Sequence, residues 1–241
     1  MTIHAVRLLS RQPVAERTVA FHLERPQGFA FRPGQAIDVI LVRQGLATDS
    51  QDAKHTFSIV SAPFETELVV ATRLRDSAFK RALAATPPGA MASIDGPFGS
   101  LTLHHKKERV AVLIAGGIGV TPFMSMLRQA AHDHLAQDIR LVYSNRRPED
   151  APFLDELRDL TQANPRFHLI ATMTGMSRSV QAWTGRTQRV DGDLIKLVAA
   201  NLASPVYHLA GPSAMVQAMR NALGTAGADE DDVRSEEFYG Y

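Results

Sequence analysis

Apolar residues follow two different rhythms along this chain. Up to about Thr102 they fall in short alternating or β-branched runs at 19–23, 36–42, 56–60, 68–72 and 90–94, separated by Pro and Gly. Strands of that length and spacing predict an antiparallel barrel or sandwich. One helical stretch, 77–85, interrupts them; Ser77 is placed to cap its start, and Pro87-Pro88-Gly89 ends it. Beyond the basic connector His104-His105-Lys106-Lys107 the rhythm changes. Apolar β runs at 110–115, 139–143, 167–171, 206–209 and 233–238 alternate with amphipathic helical segments at 122–135, 153–162, 193–202 and 213–223. Strand–helix alternation implies right-handed crossovers and a parallel sheet with helices on both faces. The pattern therefore predicts two domains, 1–103 all-β and 104–241 α/β.

Composition narrows the chemistry. Cysteine is absent, which excludes disulfides, thiolate metal sites, a cysteine nucleophile and a thiolate-bound iron–sulfur cluster within this chain. The nine histidines are scattered, and neither His104-His105 nor His132-x-His134 has metal-site spacing with a nearby carboxylate, so no metal is expected. With 26 basic and 25 acidic residues, net charge gives no reason to expect nucleic acid or a membrane surface as partner. No apolar run has signal-peptide or transmembrane character, so a cytoplasmic location is expected.

The segment Ala115-Gly-Gly-Ile-Gly-Val-Thr-Pro122 follows an apolar strand and opens a helix. Glycines let backbone approach a ligand without a Cβ in the way. Thr121 suits an N-cap and Pro122 the first helical position. Free N–H groups and the positive end of the helix dipole would then favour a pyrophosphate. Taken alone, the same glycines fit a tight packing turn equally well.

The spacing differs from GxGxxG and resembles the GGxGxTP turn of the ferredoxin–NADP reductase superfamily. Other segments resemble that family in its order: Phe31-Arg-Pro-Gly-Gln35, His55-Thr-Phe-Ser58, Thr72 to Leu83, Asp95-Gly-Pro-Phe-Gly99, Ala210-Gly-Pro212 and Glu236-Glu-Phe-Tyr-Gly-Tyr241. The resemblance implies an N-terminal Greek-key β-barrel holding FAD and a C-terminal α/β domain binding NAD(P)H. It implies FAD contacts at His55, Thr56, Phe57, Ser58, Thr72, Ser77 and Lys80, with Phe57 against the flavin ring and Ser58 at its N5. It implies nucleotide contacts at Gly116, Gly117, Gly119, Thr121, Pro122, Ser144, Arg146, Arg147, Ala210, Gly211 and Pro212. Ser58, Glu236 and Phe238 are the implied catalytic positions, Phe238 also covering the flavin or nicotinamide and Glu236 relaying a proton.

Two positions depart from the family pattern. His55 stands where an arginine usually contacts the FAD phosphates; histidine is neither permanently charged nor bidentate. Lys54, Arg73 and Lys80 are the cations available to compensate, and without compensation FAD is expected to exchange freely. Ala210 stands where many members have a cysteine. For the pyridine nucleotide, Ser144-Asn-Arg-Arg147 carries two cations and no immediate acid, a slight lean towards NADPH over NADH, with Glu149 and Asp150 against it.

These readings converge on an FAD-dependent NAD(P)H oxidoreductase. The chain carries neither an iron–sulfur segment nor a further redox domain, so electrons are expected to pass to a separate ferredoxin-type protein or a small molecule such as free flavin. Arg73, Arg75, Lys80 and Arg81 form a candidate docking face for an acidic partner. The alternative is a redox-sensing or assembly subunit that holds FAD or nucleotide without efficient turnover, which His55 and Ala210 keep open.

Overall fold

The structure is a computed structural model that describes residues 3–41 and 53–238. Val42, at the end of the expected strand 36–42, and Tyr239, Gly240 and Tyr241 of the C-terminal motif lie outside the described residues. Two compact units emerge: Met1–Thr102 with Thr121–Gln129, and Leu103–Val120 with Ala130–Tyr241.

Six strands build the first unit: β1 (His4–Ala15), β2 (Thr18–Glu24), β3 (Ala36–Leu41), β4 (Lys54–Ser58), β5 (Glu67–Arg73) and β6 (Met91–Phe98). They form one antiparallel sheet in the order β4-β3-β6-β1-β2-β5. An antiparallel bridge between Ile59 and Val70, and the Val60 N–H to Val69 carbonyl bond of 2.7 Å, join the two edge strands and curl the sheet into a barrel. Alternation decides which side chains fill it. Ile37 and Val39 of β3 point inward with Val6, Leu8, Phe21, Leu23, Leu68, Val70 and Ile94, all within 1% of complete burial. Each such side chain contributes roughly 1.5–3 kcal/mol by leaving water. Asp38 lies between the two inward positions of β3.

β1 is twelve residues long and was absent from the expected strands. Its stretch Ser10-Arg11-Gln12-Pro13 has no apolar alternation because it is exposed; pairing with β2 holds it extended. β6 also runs further than 90–94, through Gly96 and Pro97 to Phe98, so the segment Asp95-Gly-Pro-Phe-Gly99 is mostly strand. The helix α1 (Ala78–Ala85) matches expectation: the Ser77 hydroxyl accepts the Lys80 N–H at 3.2 Å. Phe79 and Leu83, one turn apart, bury its inner face.

The second unit carries β7 (Ala111–Gly116), β8 (Ile139–Asn145), β9 (Phe167–Met173), β10 (Val206–Pro212) and β11 (Val233–Phe238) in a wholly parallel sheet, order β11-β10-β7-β8-β9. Every residue of central β7 is buried, as a strand covered on both faces requires. Helices α4 (Gly192–Ala199) and α5 (Ser213–Thr225) pack on one face against Val112, Ile114, Val142 and Leu209. On the alternate positions Tyr143 sends its hydroxyl to the Pro152 carbonyl, 2.9 Å, just ahead of α3 (Leu154–Ala163). The helix α2 (Thr121–His132), whose residues Thr121–Gln129 belong to the first unit, stops short of the expected 135 because His134 turns left-handed (φ 47°) and the Leu135 N–H reaches back to the Ala130 carbonyl. α4 likewise ends at Ala199, before the expected 202.

Candidate active site

In the first unit the flavin-type motif occupies β4. Phe57 is 6% exposed and belongs to the hydrophobic core, its ring 6.0 Å from Phe79 of α1. His55, two residues earlier on the same strand face, has its ring 4.8 Å from Phe57 and 5.5 Å from Phe79. Burial and then the charge of Lys80 hold the His55 imidazole below its ordinary pKa, against a smaller upward pull from Asp38. Lys80 is itself held down by burial and by Arg75. Ser58 ends β4 with its Oγ buried and without a hydrogen-bond partner among the described residues. A buried hydroxyl of that kind costs about 1–3 kcal/mol until it is satisfied. Thr56, by contrast, is exposed and donates its hydroxyl to Asp38. Thr72 is buried, its hydroxyl 3.4 Å from the Arg73 carbonyl.

Of the cations named beside His55, Lys54 is committed elsewhere, its Nζ 2.6 Å from Asp38. Lys80 is half-buried next to His55. Arg81 pairs with Asp76, which weakens the notion of a free basic face at Arg73, Arg75, Lys80 and Arg81.

In the second unit the expected nucleotide residues gather at the carboxyl ends of the strands. Ladder pairs place Ala115 beside Ala210, Gly116 beside Ser144, Ala210 beside Glu236 and Pro212 beside Phe238. The glycine segment differs from expectation in one respect. Gly117–Val120 forms a 3-10 turn that runs straight into α2, so Thr121 is the first helical residue rather than a cap. Its side chain is 2% exposed, and Pro122 takes the second position. The glycines are still needed. A Cβ on Gly119 would lie 2.2 Å from the Ala210 carbonyl oxygen, so β10 backbone occupies that space. Gly117 is left-handed (φ 55°) with nothing within 4 Å of a Cβ, an open surface.

After β8 the two arginines separate. Arg147 makes a bidentate pair with Asp150 (2.8 and 3.0 Å) and donates to the Arg178 carbonyl, while Arg146 is exposed. Arg147 thus braces a loop, and only Arg146 retains the exposed guanidinium that the nucleotide assignment gave to both. Glu149 is not an opposing acid at the crevice either. Despite a burial cost that pushes its pKa up, its own N–H, the N–H groups of Val180 and Gln181 and the Ser179 hydroxyl bring it down to about 2. Asn145, which the sequence argument passed over, is 6% exposed with both amide atoms lacking partners among the described residues. Its signal was available: an amide closing a strand whose centre, Leu141-Val142-Tyr143, is a buried apolar run. Glu236 is perturbed in the opposite direction, pushed up to about 7 by burial. Among the described residues no three metal-ligating side chains gather, and no helix is long and apolar enough to cross a membrane.

The fold is thus an antiparallel unit curled into a barrel and a parallel sheet with a glycine turn after its central strand. The oxidoreductase NAD-binding domain family matches residues 113–221. Ferredoxin–NADP reductase B of Sorangium cellulosum is 29% identical, covering 96% of both chains. The glycine betaine monooxygenase reductase subunit of Chromohalobacter salexigens is 25% identical over 92% of this chain, which spans only 60% of that relative. In fold, a ferredoxin–NADP reductase from Neisseria gonorrhoeae solved with FAD and NADP superposes with a TM-score of 0.82 at 19% identity, over 98% of this chain and 99% of that one. The chain is thus similar in sequence to a ferredoxin–NADP reductase and shares the two-unit fold of such enzymes.

Proposed function

We propose that this chain holds FAD in its antiparallel unit, takes reducing equivalents from NADPH on its parallel unit, and delivers electrons to a separate acceptor, either a ferredoxin-type protein or a small molecule such as free flavin. The observation that carries the reading is Ser58, a buried hydroxyl without a partner at the end of the strand that also presents His55 and Phe57. Bound FAD supplies a ring that accepts hydride from the nicotinamide and passes electrons on one or two at a time. Everything else is the work of the protein's own groups.

Ser58 donates its hydroxyl to the flavin N5. Phe57 offers the ring an apolar face, where broad contact stabilises binding. His55 and Lys80 take the FAD diphosphate, with Thr56, Thr72 and Ser77 nearby in the chain. Across the second unit, Gly116, Gly117 and Gly119 keep side chains away from the incoming pyrophosphate, Thr121 and Pro122 open the following helix, and Arg146 with Ser144 favours a 2′-phosphate through charge-assisted bonds. Ala210, Gly211 and Pro212 line the nicotinamide end with Phe238. Glu236, with its raised pKa, holds a proton near neutral pH. The acceptor is argued from kind: relatives named as ferredoxin reductase and as monooxygenase reductase subunits hand electrons to partners.

The test is an anaerobic visible spectrum of the FAD-loaded protein. Flavin absorbance that bleaches on adding NADPH, faster than on NADH, is the expected result. Protein that takes up FAD but bleaches with neither nucleotide would overturn the reading.

A further inference from the structure

The cluster around His55 carries a property beyond simple flavin binding. Its ring is seated between Phe57, 4.8 Å away on β4, and Phe79, 5.5 Å away on α1. The charge of Lys80, from α1, acts on His55, and Arg75, from the segment before α1, acts in turn on Lys80. The acid felt by His55 is Asp38 of β3, but Asp38 is already engaged by Lys54 at 2.6 Å and by the Thr56 hydroxyl. Asp95 of β6, opposite Asp38 in the ladder, also acts on Lys54. His55 is therefore partly desolvated with the Lys80 charge outweighing that of Asp38, a poor place for a further cation and a good one for a polyanion.

We propose that His55 takes up a proton when FAD binds, so that this chain's affinity for FAD is set by pH: tight in mild acid and weakening through neutrality. The proposal rests on the reading that the antiparallel unit holds FAD. Burial and Lys80 disfavour the protonated ring in the flavin-free protein. A diphosphate beside it neutralises Lys80's field and gives the imidazolium an acceptor, so the bound state prefers the protonated ring. The proton comes from solvent, and no bond of FAD changes. Because the bound state holds the extra proton, affinity is greatest below the free-state pKa and falls as pH rises through the bound-state pKa. An arginine at this position would give constant affinity. Lys80 sets the midpoint of the response, since it opposes the charge on His55.

The experiment uses flavin-stripped protein titrated with FAD between pH 5.5 and 8.5, followed by quenching of flavin fluorescence. Calorimetry at pH 7 in phosphate and in Tris counts the protons exchanged. The expected result is net proton uptake and a Kd that rises roughly 10-fold across the range, the lower end of what one charge-assisted hydrogen bond is worth. His55→Arg should bind more tightly with a flat profile, His55→Gln weakly with a flat profile, and Lys80→Met should move the wild-type midpoint to higher pH. Riboflavin, which lacks the diphosphate, should show no such dependence. Circular dichroism checks that each variant is folded. Wild-type protein that binds FAD with a flat profile and no proton uptake overturns the proposal, as does a His55→Gln profile that still follows wild type. Failure of wild type and His55→Arg alike to bind FAD at any pH overturns the FAD reading itself, and the proposal with it.

Discussion

Ala210 and Glu236 sit side by side in the parallel ladder of β10 and β11, at the carboxyl end of the sheet. The neighbour of the carboxyl is a methyl group, which can neither donate to it nor balance its charge. Burial accordingly pushes Glu236 up to about 7.

That shift fixes the sign of a stability effect. An acid whose folded pKa lies above its unfolded value binds its proton more tightly when folded. Stability is then greatest at low pH and is lost as pH rises from about 4.5 through about 7. Glu236→Gln removes the charge but keeps the shape. In denaturant unfolding the variant should match wild type below about pH 5 and exceed it at pH 8, by no more than about 3 kcal/mol and less after solvent screening. Equal stability at pH 8 would show that ionised Glu236 is not costly.

The glycine segment separates packing from binding within one motif. Gly119→Ala drives a Cβ to 2.2 Å from the Ala210 carbonyl oxygen, which is strand backbone and cannot swing aside. Overpacking of that kind costs about 1–3 kcal/mol or more, read as a fall in thermal midpoint. Gly117→Ala meets open space and pays only for its left-handed backbone, about 1 kcal/mol. Its effect should appear instead as a higher KM for the nicotinamide nucleotide with kcat little changed. Loss of stability in Gly117→Ala equal to that in Gly119→Ala would remove the distinction.

Much of this was legible in the sequence, and the omissions have physical reasons. Strand–helix alternation after His104 gave the parallel sheet because buried parallel strands leave continuous apolar runs. Ser77 as the cap of α1 could be read from residue type alone. β1 could not, because Ser10-Arg11-Gln12 is held extended by its partner strand rather than by its own pattern. The role of Thr121 was misjudged because nothing local distinguishes an open glycine loop from a 3-10 turn feeding a helix. Glu149 looked like an acid facing nucleotide because the residues that claim it, 179–181, are some thirty positions away. Arg147 with Asp150 was a readable pair, being only three residues apart.

The two arginines after β8 should behave differently when removed. Arg146→Ala takes away an exposed guanidinium and should lower the kcat/KM ratio of NADPH over NADH by about 10-fold, the value of one charge-assisted contact, while the melting temperature stays put. Arg147→Ala breaks the bidentate pair with Asp150 and the bond to the Arg178 carbonyl. It should lower stability by about 1–2 kcal/mol and affect both nucleotides alike. Steady-state kinetics with both nucleotides, beside melting curves, resolves the two. An unchanged ratio in Arg146→Ala would remove the argument for NADPH.

A final prediction concerns acid. His104 is 5% exposed, its ring stacked 5.7 Å from that of fully buried His208. Its Nε2 lies 2.8 Å from the Gln137 amide nitrogen, which also donates to the Arg109 carbonyl at 2.9 Å. The same Nε2 lies 3.2 Å from the Arg109 carbonyl oxygen, so a proton there meets one acceptor and, in Gln137, one opposing donor. Burial lowers the His104 pKa, and the nearby Arg234 and Arg109 charges lower it further against the pull of the Arg109 and Lys106 carbonyls. A histidine depressed in the folded state contributes stability that is fully present above its unfolded value, about 6.5, and is lost as pH falls towards the folded value. His104 should therefore act to lower the melting temperature between pH 7 and pH 5, opposite in sign to the effect of Glu236, so the comparison is made in a Glu236→Gln background. His104→Gln, which cannot titrate, should melt lower than that background at pH 7 yet lose less over the same interval. A slope as steep as that of the background would assign the acid sensitivity to other groups.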